Sequence, residues 1–461
     1  MSKMQDALTR STVFIACTLF CATASASGIP GASFGYEQGN VVAPNPTGIA
    51  YNPGALGFSG TQLFLDVSLA IRDFTWTHAR GQGDAAEPPG FEGANYGSAH
   101  ARTIGAGPQF AATLQLGKLV IGGGWYVPYG GGTLRFDKNE RFSSSMYPGA
   151  ADSVARWHGF DASTSVIFAT LGAALRFGPI SFGAVGNLIV SSYGVTRAQN
   201  SPISGNDLTQ EQRVYLEAKS INGSFGLGVM YEALPSRMWI GASYQAQPGL
   251  GEMSLNGKYT LDPMIGMDGP TRTQSVTLYQ ALPDIFRLGV RFKVTPEVEL
   301  RLTGNYTRWS LSQTQCLGVR SMPCTVKRDG GTAPGSGVIK AMRRNWHDTM
   351  KVHAGVSYWV IEPLELFFGL SYENSAVPDS TLDPLVADAD RVTAALGGRV
   401  RLADTWFVAL SYNHQFIATR DNTRLSQLAA SNIQTTSQSV DGGGVYEQWW
   451  ATLNLNVAKI F

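Results

Sequence analysis

The sequence predicts an all-β protein, a 14-stranded antiparallel transmembrane β-barrel preceded by a compact irregular N-terminal segment. Three observations predict it. Apolar and polar residues alternate in segment after segment. The connections between segments are alternately short and long. No stretch after the first thirty residues holds the 18 or so consecutive apolar residues of a membrane-spanning helix. A chain that crosses a membrane without such a helix crosses as a closed barrel, because hydrocarbon offers no partner to an open sheet edge.

The last stretch, Tyr446–Phe461, shows the alternation most plainly. Trp449, Ala451, Leu453, Leu455, Val457 and Phe461 share one parity, and Gln448, Thr452, Asn454 and Asn456 the other. That is the period of a strand with one oily and one wet face. At roughly 3.3 Å per residue and a 45° tilt, about twelve residues between the two bracketing aromatics span a hydrocarbon layer of about 25 Å.

Composition agrees. Charged residues are 15% of the 461, against a usual share of about 25%. Mean hydropathy is −0.05, so the apolar residues are dispersed rather than massed. A net charge of +1 speaks against nucleic acid as a partner, which needs a basic excess.

The amino terminus reads as an address. Lys3 and Arg10 precede the apolar run Thr12–Cys21, and Ala24-Ser25-Ala26 forms a small-x-small cleavage site. Residues 1–26 are therefore a predicted secretory signal peptide. Residues 27–61, rich in Gly, Pro and Asn and without a sustained period, read as a compact irregular segment, and 62–461 as the barrel. Cys316 and Cys324 are the two cysteines beyond the signal and are expected to pair in an oxidising compartment. Two free thiols are the alternative; a zinc site lacks a nearby His or third Cys.

The strand rhythm begins at Thr61. Leu63, Leu65, Val67, Leu69 and Ile71 alternate with Gln62, Asp66, Ser68 and Arg72. Short turns follow near Gly117-Lys118, Gly178-Pro179, Leu234–Ser236, Val294–Glu297, Glu362-Pro363 and Ala403-Asp404. Long polar connections fall before about Ala106 and near 129–155, 198–211, 260–272, 314–343, 376–388 and 420–444. Short turns at one rim and long loops at the other are the asymmetry of bacterial outer-membrane barrels. Later strands keep the parity: Phe286, Leu288, Val290 and Phe292 oppose Arg287 and Arg291, and Leu300 and Leu302 oppose Glu299 and Arg301. A charge on the lipid face at mid-depth costs about 2–4 kcal/mol, so these charges are assigned to the lumen.

Several segments, in order, resemble the FadL-type outer-membrane transporters. They are Pro46–Leu56, which includes Asn52-Pro53; Leu282–Gly289 with Arg308-Trp309-Ser310; and Trp346-His347-Asp348 through Tyr358, then Val377-Pro378-Asp379 and Asp388–Arg391. The resemblance implies that residues 27–61 form a hatch, or plug, inside the barrel, with passive uptake of long-chain fatty acids or, as in relatives, aromatic hydrocarbons, and lateral exit at a kink in the third strand. It makes Asn52, Pro53 and Gly54 the hatch motif, with Gly54 departing from the family's Ala. Gly122, Gly123, Gly124 and Pro128, poor strand residues in their own right, become candidates for the lateral opening.

A carboxylate head needs a cation and a tail needs an apolar sleeve. Arg287, Arg291, Arg301 and Lys351, lumen-facing on neighbouring strands, are the candidate head-group contacts, although Glu299 among them also suits a balanced structural network. Phe367 and Phe407, on the lumen parity, are candidates for the passage wall or for packing on the hatch. No G-x-S-x-G elbow, P-loop or H-E-x-x-H motif is present, and His78, His100, His158, His347, His353 and His414 are scattered, so neither enzyme activity, cofactor nor metal is expected. The expected partners are the hydrophobic molecule and the surrounding outer-membrane lipid and lipopolysaccharide, with the protein a monomer. A general porin or a surface adhesin is the alternative, which the apolar hatch disfavours.

Overall fold

The computed structural model describes residues 33–461 except 82–83, 201–205, 264–268, 327–332 and 429–439. The predicted signal peptide and the first residues of the predicted hatch lie outside the described residues. Nineteen strand segments form one antiparallel sheet that closes on itself as a cylinder of fourteen staves. Ten staves are β1 (Gln62–His78), β2 (Gly97–Leu116), β3 (Leu119–Arg135), β4 (Asp161–Phe177), β5 (Ile180–Asn200), β6 (Glu211–Leu234), β15 (Leu364–Glu373), β16 (Arg391–Leu402), β17 (Trp406–Ile417) and β19 (Gly444–Ile460). The other four are each broken in two: β7 (Met238–Gln245) with β8 (Met253–Leu261), β9 (Arg272–Gln280) with β10 (Ile285–Lys293), β11 (Val298–Thr307) with β12 (Thr314–Val319), and β13 (Val338–Arg343) with β14 (Thr349–Ile361). A two-residue segment, β18 (Arg420–Asp421), flanks β19. The seam is complete. β1 pairs along its whole length with β2 on one side and with β19 on the other, from Gln62↔Ile460 to His78↔Gly444.

Alternation decides which face meets lipid. Leu63, Leu65, Val67 and Leu69 of β1 and Leu453 and Leu455 of β19 are exposed, whereas Phe64, Asp66, Ser68, Asn454 and Asn456 are buried toward the bore. Asp66 accepts hydrogen bonds inside from Asn454, Asn456 and Gln109, so the polar face is internally satisfied. Among the described residues no helix is long and apolar enough to cross a membrane; the strands do it.

The six short turns fall where the alternation stops. Three long connections are shorter than the sequence suggests. β2 already starts at Gly97 rather than near Ala106, and β3 runs on to Arg135, so that its following loop is 136–160. Within 314–343, Thr314–Val319 and Val338–Arg343 are strands that pair with each other and extend the wall upward. Cys316 and Leu317 are buried there, in a stretch whose polar neighbours hide the pattern. The Cys316–Cys324 disulfide is present and ties β12 to its loop.

Candidate functional site

Residues 33–61 lie inside the cylinder. Two short helical turns, Gly48–Tyr51 (α1) and Pro53–Phe58, are joined by Asn52 in extended conformation, as expected for a residue before proline. Pro53 then opens the second turn, where its missing N–H is no loss. Asn52 is fully buried. Its Oδ1 accepts from the Gly54 N–H, and its Nδ2 donates to the Val41 carbonyl at 2.8 Å and to the wall carbonyl of Val229 at 3.0 Å.

Gly54 departs from Ala for a geometric reason. A Cβ there would stand 2.7 Å from the Val229 Cα, and Cβ atoms on the wall glycines Gly183 and Gly228 would meet Pro53 O at 2.2 Å and Asn52 Oδ1 at 2.0 Å. Backbone rests on backbone, with glycine on both sides. Across the bore, Leu56 and Ile49 pack over Gly122, where a Cβ would approach within 3.2 Å of Leu56.

The other third-strand candidates mark where the wall parts. Pairing of β2 with β3 stops at Phe110↔Trp125, one residue after Gly124, while β3 goes on pairing with β4 alone. Tyr126 pairs with Phe168 and Tyr129 with Val166, so three residues advance on β3 against two on β4. This is a bulge of one extra residue, containing Pro128, and it bends β3 away from β2. The rims meet again above, through Asp137 N to His100 O at 2.8 Å and Thr103 Oγ1 to Thr133 O at 3.3 Å. Between them lies a slit bordered by Ala106-Gly107-Pro108 on one side and Val127-Pro128 on the other, crossed at its lower end by the Val127 N–H, which donates to Gln109 Oε1 at 3.4 Å. Gly123 faces outward against Leu171.

Besides two cavities of about 250 and 100 Å³ beside Glu37 of the N-terminal segment, two chambers lie in the bore. The lower, about 150 Å³, reaches from the hatch (Phe34, Tyr51) past Val127 and Pro128 at the slit to Arg287, Lys351 and Trp309. The upper, about 140 Å³, is walled by Val214, Leu216, Leu278 and Leu385, with Lys340 and Arg344 set into the apolar lining. The predicted cations therefore divide. Arg287 and Lys351 line the lower chamber. Arg291 and Arg301 do not: Arg291 pairs with Glu299 at 2.7 Å, and Arg301 pairs with Glu299 at 3.2 Å and with Glu37 of the hatch at 3.5 Å. His353 joins Glu37 from the other side at 3.2 Å. Phe367 and Phe407 sit at this same lower end, Phe367 against Gly397 and Phe407 beneath Arg399. These four residues surround the N-terminal segment, and Arg291, Arg301 and Phe407 line the cavity of about 250 Å³ beside Glu37 rather than either chamber.

In the lower chamber Arg391 takes both acids, Glu373 at 2.8 Å and Asp388 at 2.9 Å. Arg287 is 9% exposed, donates to Gln245 Oε1 at 3.0 Å, and its Nε has no partner. Lys340 in the upper chamber is 7% exposed, and no ion pair joins it to a carboxylate among the described residues. The sequence reading missed the upper chamber. Its signal is the apolar, β-branched run Val338-Ile339 with Ala341-Met342 around a single Lys340, which has no period-2 pattern to mark a strand.

A closed, lipid-facing β-cylinder with its N-terminal segment packed inside and chambers bearing cations is an outer-membrane channel by class. The chain belongs to the outer membrane protein transport protein family (OMPP1/FadL/TodX), whose family model matches residues 7–446. Among solved structures it is similar to a Pseudomonas aeruginosa FadL homologue, with 17% identity, a TM-score of 0.71, and 95% of this chain and 100% of that one covered. It is also similar to the P. putida toluene transporter TodX, with 16% identity, a TM-score of 0.64, and 95% and 99% covered. The Ralstonia pickettii toluene transporter TbuX gives 14% identity, a TM-score of 0.61, and 94% and 97% covered. At these identities the likeness shows the fold. No curated protein matches the chain.

Proposed function

We propose that the protein is a passive channel for hydrophobic molecules with an anionic head, long-chain fatty acids foremost, delivered from the cell surface through the two chambers to the slit beside β3. Residues 1–26 act as its secretory signal, 27–61 as its plug, and it works as a monomer without cofactor. The observation that carries the substrate reading is that Arg287 in the lower chamber and Arg344 in the upper are buried guanidinium groups that, among the described residues, enter no ion pair with a carboxylate. A buried unpaired charge costs several kcal/mol, and an incoming carboxylate offsets that cost while its tail gains about 0.8 kcal/mol per buried methylene. A neutral aromatic hydrocarbon would gain only a cation–π contact of about 0.5–2 kcal/mol and would leave the buried charge without a counter-ion. The lateral exit is supported by the loss of β2–β3 pairing above Phe110, with the slit opening at the level of the apolar band.

The test compares uptake of labelled oleate and of toluene by cells with and without the protein. Protein-dependent oleate uptake supports the reading. Protein-dependent uptake of toluene alone would replace it with the aromatic-hydrocarbon reading, and large steady ion currents from the intact protein in planar bilayers would replace it with a porin.

A further inference from the structure

The same extra residue that opens the wall at β3 also turns a side chain inward. Tyr126 faces the bore, and strict alternation would send Pro128 inward next and Tyr129 out to lipid. The bulge reverses this. Tyr129 is 4% exposed, and among the described residues it alone borders both chambers. Its ring lies 6.1 Å from that of Trp309, which stands 5.2 Å from Trp346. Its hydroxyl donates to the Pro283 carbonyl at 3.1 Å, in the break between β9 and β10 on the facing wall. A phenol anchored on one wall and hydrogen-bonded to the other lies across the path.

We propose that Tyr129 is the gate between the upper and lower chambers, a specificity-determining residue that passes slender apolar tails when its hydroxyl leaves Pro283 and the ring swings aside. The proposal rests on the reading that both chambers lie on one route. Because Tyr129 sits in the bulge bordering the slit, a swing of the ring and a widening of the slit use the same backbone freedom.

The experiment places a reporter below the gate. Thr307 lines the lower chamber, so Thr307→Cys in the full-length protein is labelled in intact cells with a permanently charged methanethiosulfonate reagent added outside. With Tyr129 present labelling is slow. Tyr129→Ala is expected to raise its rate about tenfold, and Tyr129→Phe, which keeps the ring and loses the bond to Pro283, about threefold. Heat-modifiable gel mobility confirms that each variant is folded; should Tyr129→Ala fail to fold, Tyr129→Phe decides. Unchanged labelling in a folded variant overturns the gate. Oleate uptake is measured separately: faster labelling without wild-type uptake removes the fatty-acid reading and leaves the gate, whereas uptake with unchanged labelling removes the gate alone.

Discussion

Asn52 of the N-terminal segment donates through Nδ2 to the carbonyl of Val229, 3.0 Å away on the wall and 177 positions on in sequence. That carbonyl belongs to β6 just where the chain of Pro53 and Gly54 lies on it, so one carboxamide holds the plug to itself and to the cylinder. Replacing Asn52 with Ala leaves buried acceptors and the Gly54 N–H without their partner, a loss of about 1–3 kcal/mol in plug docking. Asn52→Ala should raise the frequency of brief ion-conducting openings in planar bilayers, and deletion of 33–61 should give a steady large conductance. Equal, low conductance for both variants and the intact protein would refute a plugging role.

Gly54→Leu should go further than Asn52→Ala, because its side chain would overlap the Val229 backbone, which has no way to yield within a paired strand. The expected result is a barrel with its usual heat-modifiable mobility and a plug cleaved by added protease several times faster than the parent. Loss of the barrel itself would mean that the plug is part of the folding core.

Arg287 and Arg301 should separate ligand binding from plug docking. Arg287→Gln is expected to weaken oleate binding about tenfold or more with little effect on conductance, since the residue pairs with no carboxylate among the described residues. Arg301→Gln leaves Glu299 and Glu37 short of a cation and should open the plug while oleate affinity falls little. Isothermal binding and bilayer recordings on the same two proteins check both halves.

Asp383, in the loop 374–390 over the upper chamber, makes that loop sensitive to acid. Burial alone would raise its pKa, but His158, 3.6 Å away, and Arg344 hold the carboxyl well below the usual carboxylate range. A depressed folded-state pKa contributes stability that is complete above the unfolded value of about 3.9 and is lost as pH falls through the folded one. Amide exchange in the loop, corrected for intrinsic rate, should therefore accelerate below about pH 4. In Asp383→Asn that acid limb should be absent and exchange faster at neutral pH.

Alkylation of the denatured, unreduced mature protein should add no label at Cys316 or Cys324, and two labels should appear after reduction. Label without reductant would show the pair open in the cell.

Much of the wall was legible because a strand half in lipid and half in a bore has no freedom in its pattern. Leu63 to Leu69 and Phe286 to Leu288 could point only one way. Other features were hidden where that constraint lapses. Above the membrane both faces can be polar, so β12 and β13 read as loop although Lys340 and Leu317 are buried. Parity placed Arg287, Arg291, Arg301 and Lys351 inside, but it carries no depth coordinate, and depth separates the chamber residues from those beside Glu37. Tyr129 escaped because a bulge shifts the parity by one; the glycine run and Pro128 marked the disturbance without saying which side chain it would turn. Gly54 read as a departure from a motif, and only the 2.7 Å approach to Val229 explains it.

The seam between Gln62–His78 and Gly444–Ile460 has a kinetic consequence. Its partners lie nearly the full chain apart, so every intervening loop must be drawn in before that ladder forms, and contacts of such separation fold slowly. Until the final strand docks, the nascent sheet carries two raw borders of unpaired N–H and C=O groups, which invite association with other chains. Biogenesis thus demands an escort that shields those borders through to the last hydrogen bond.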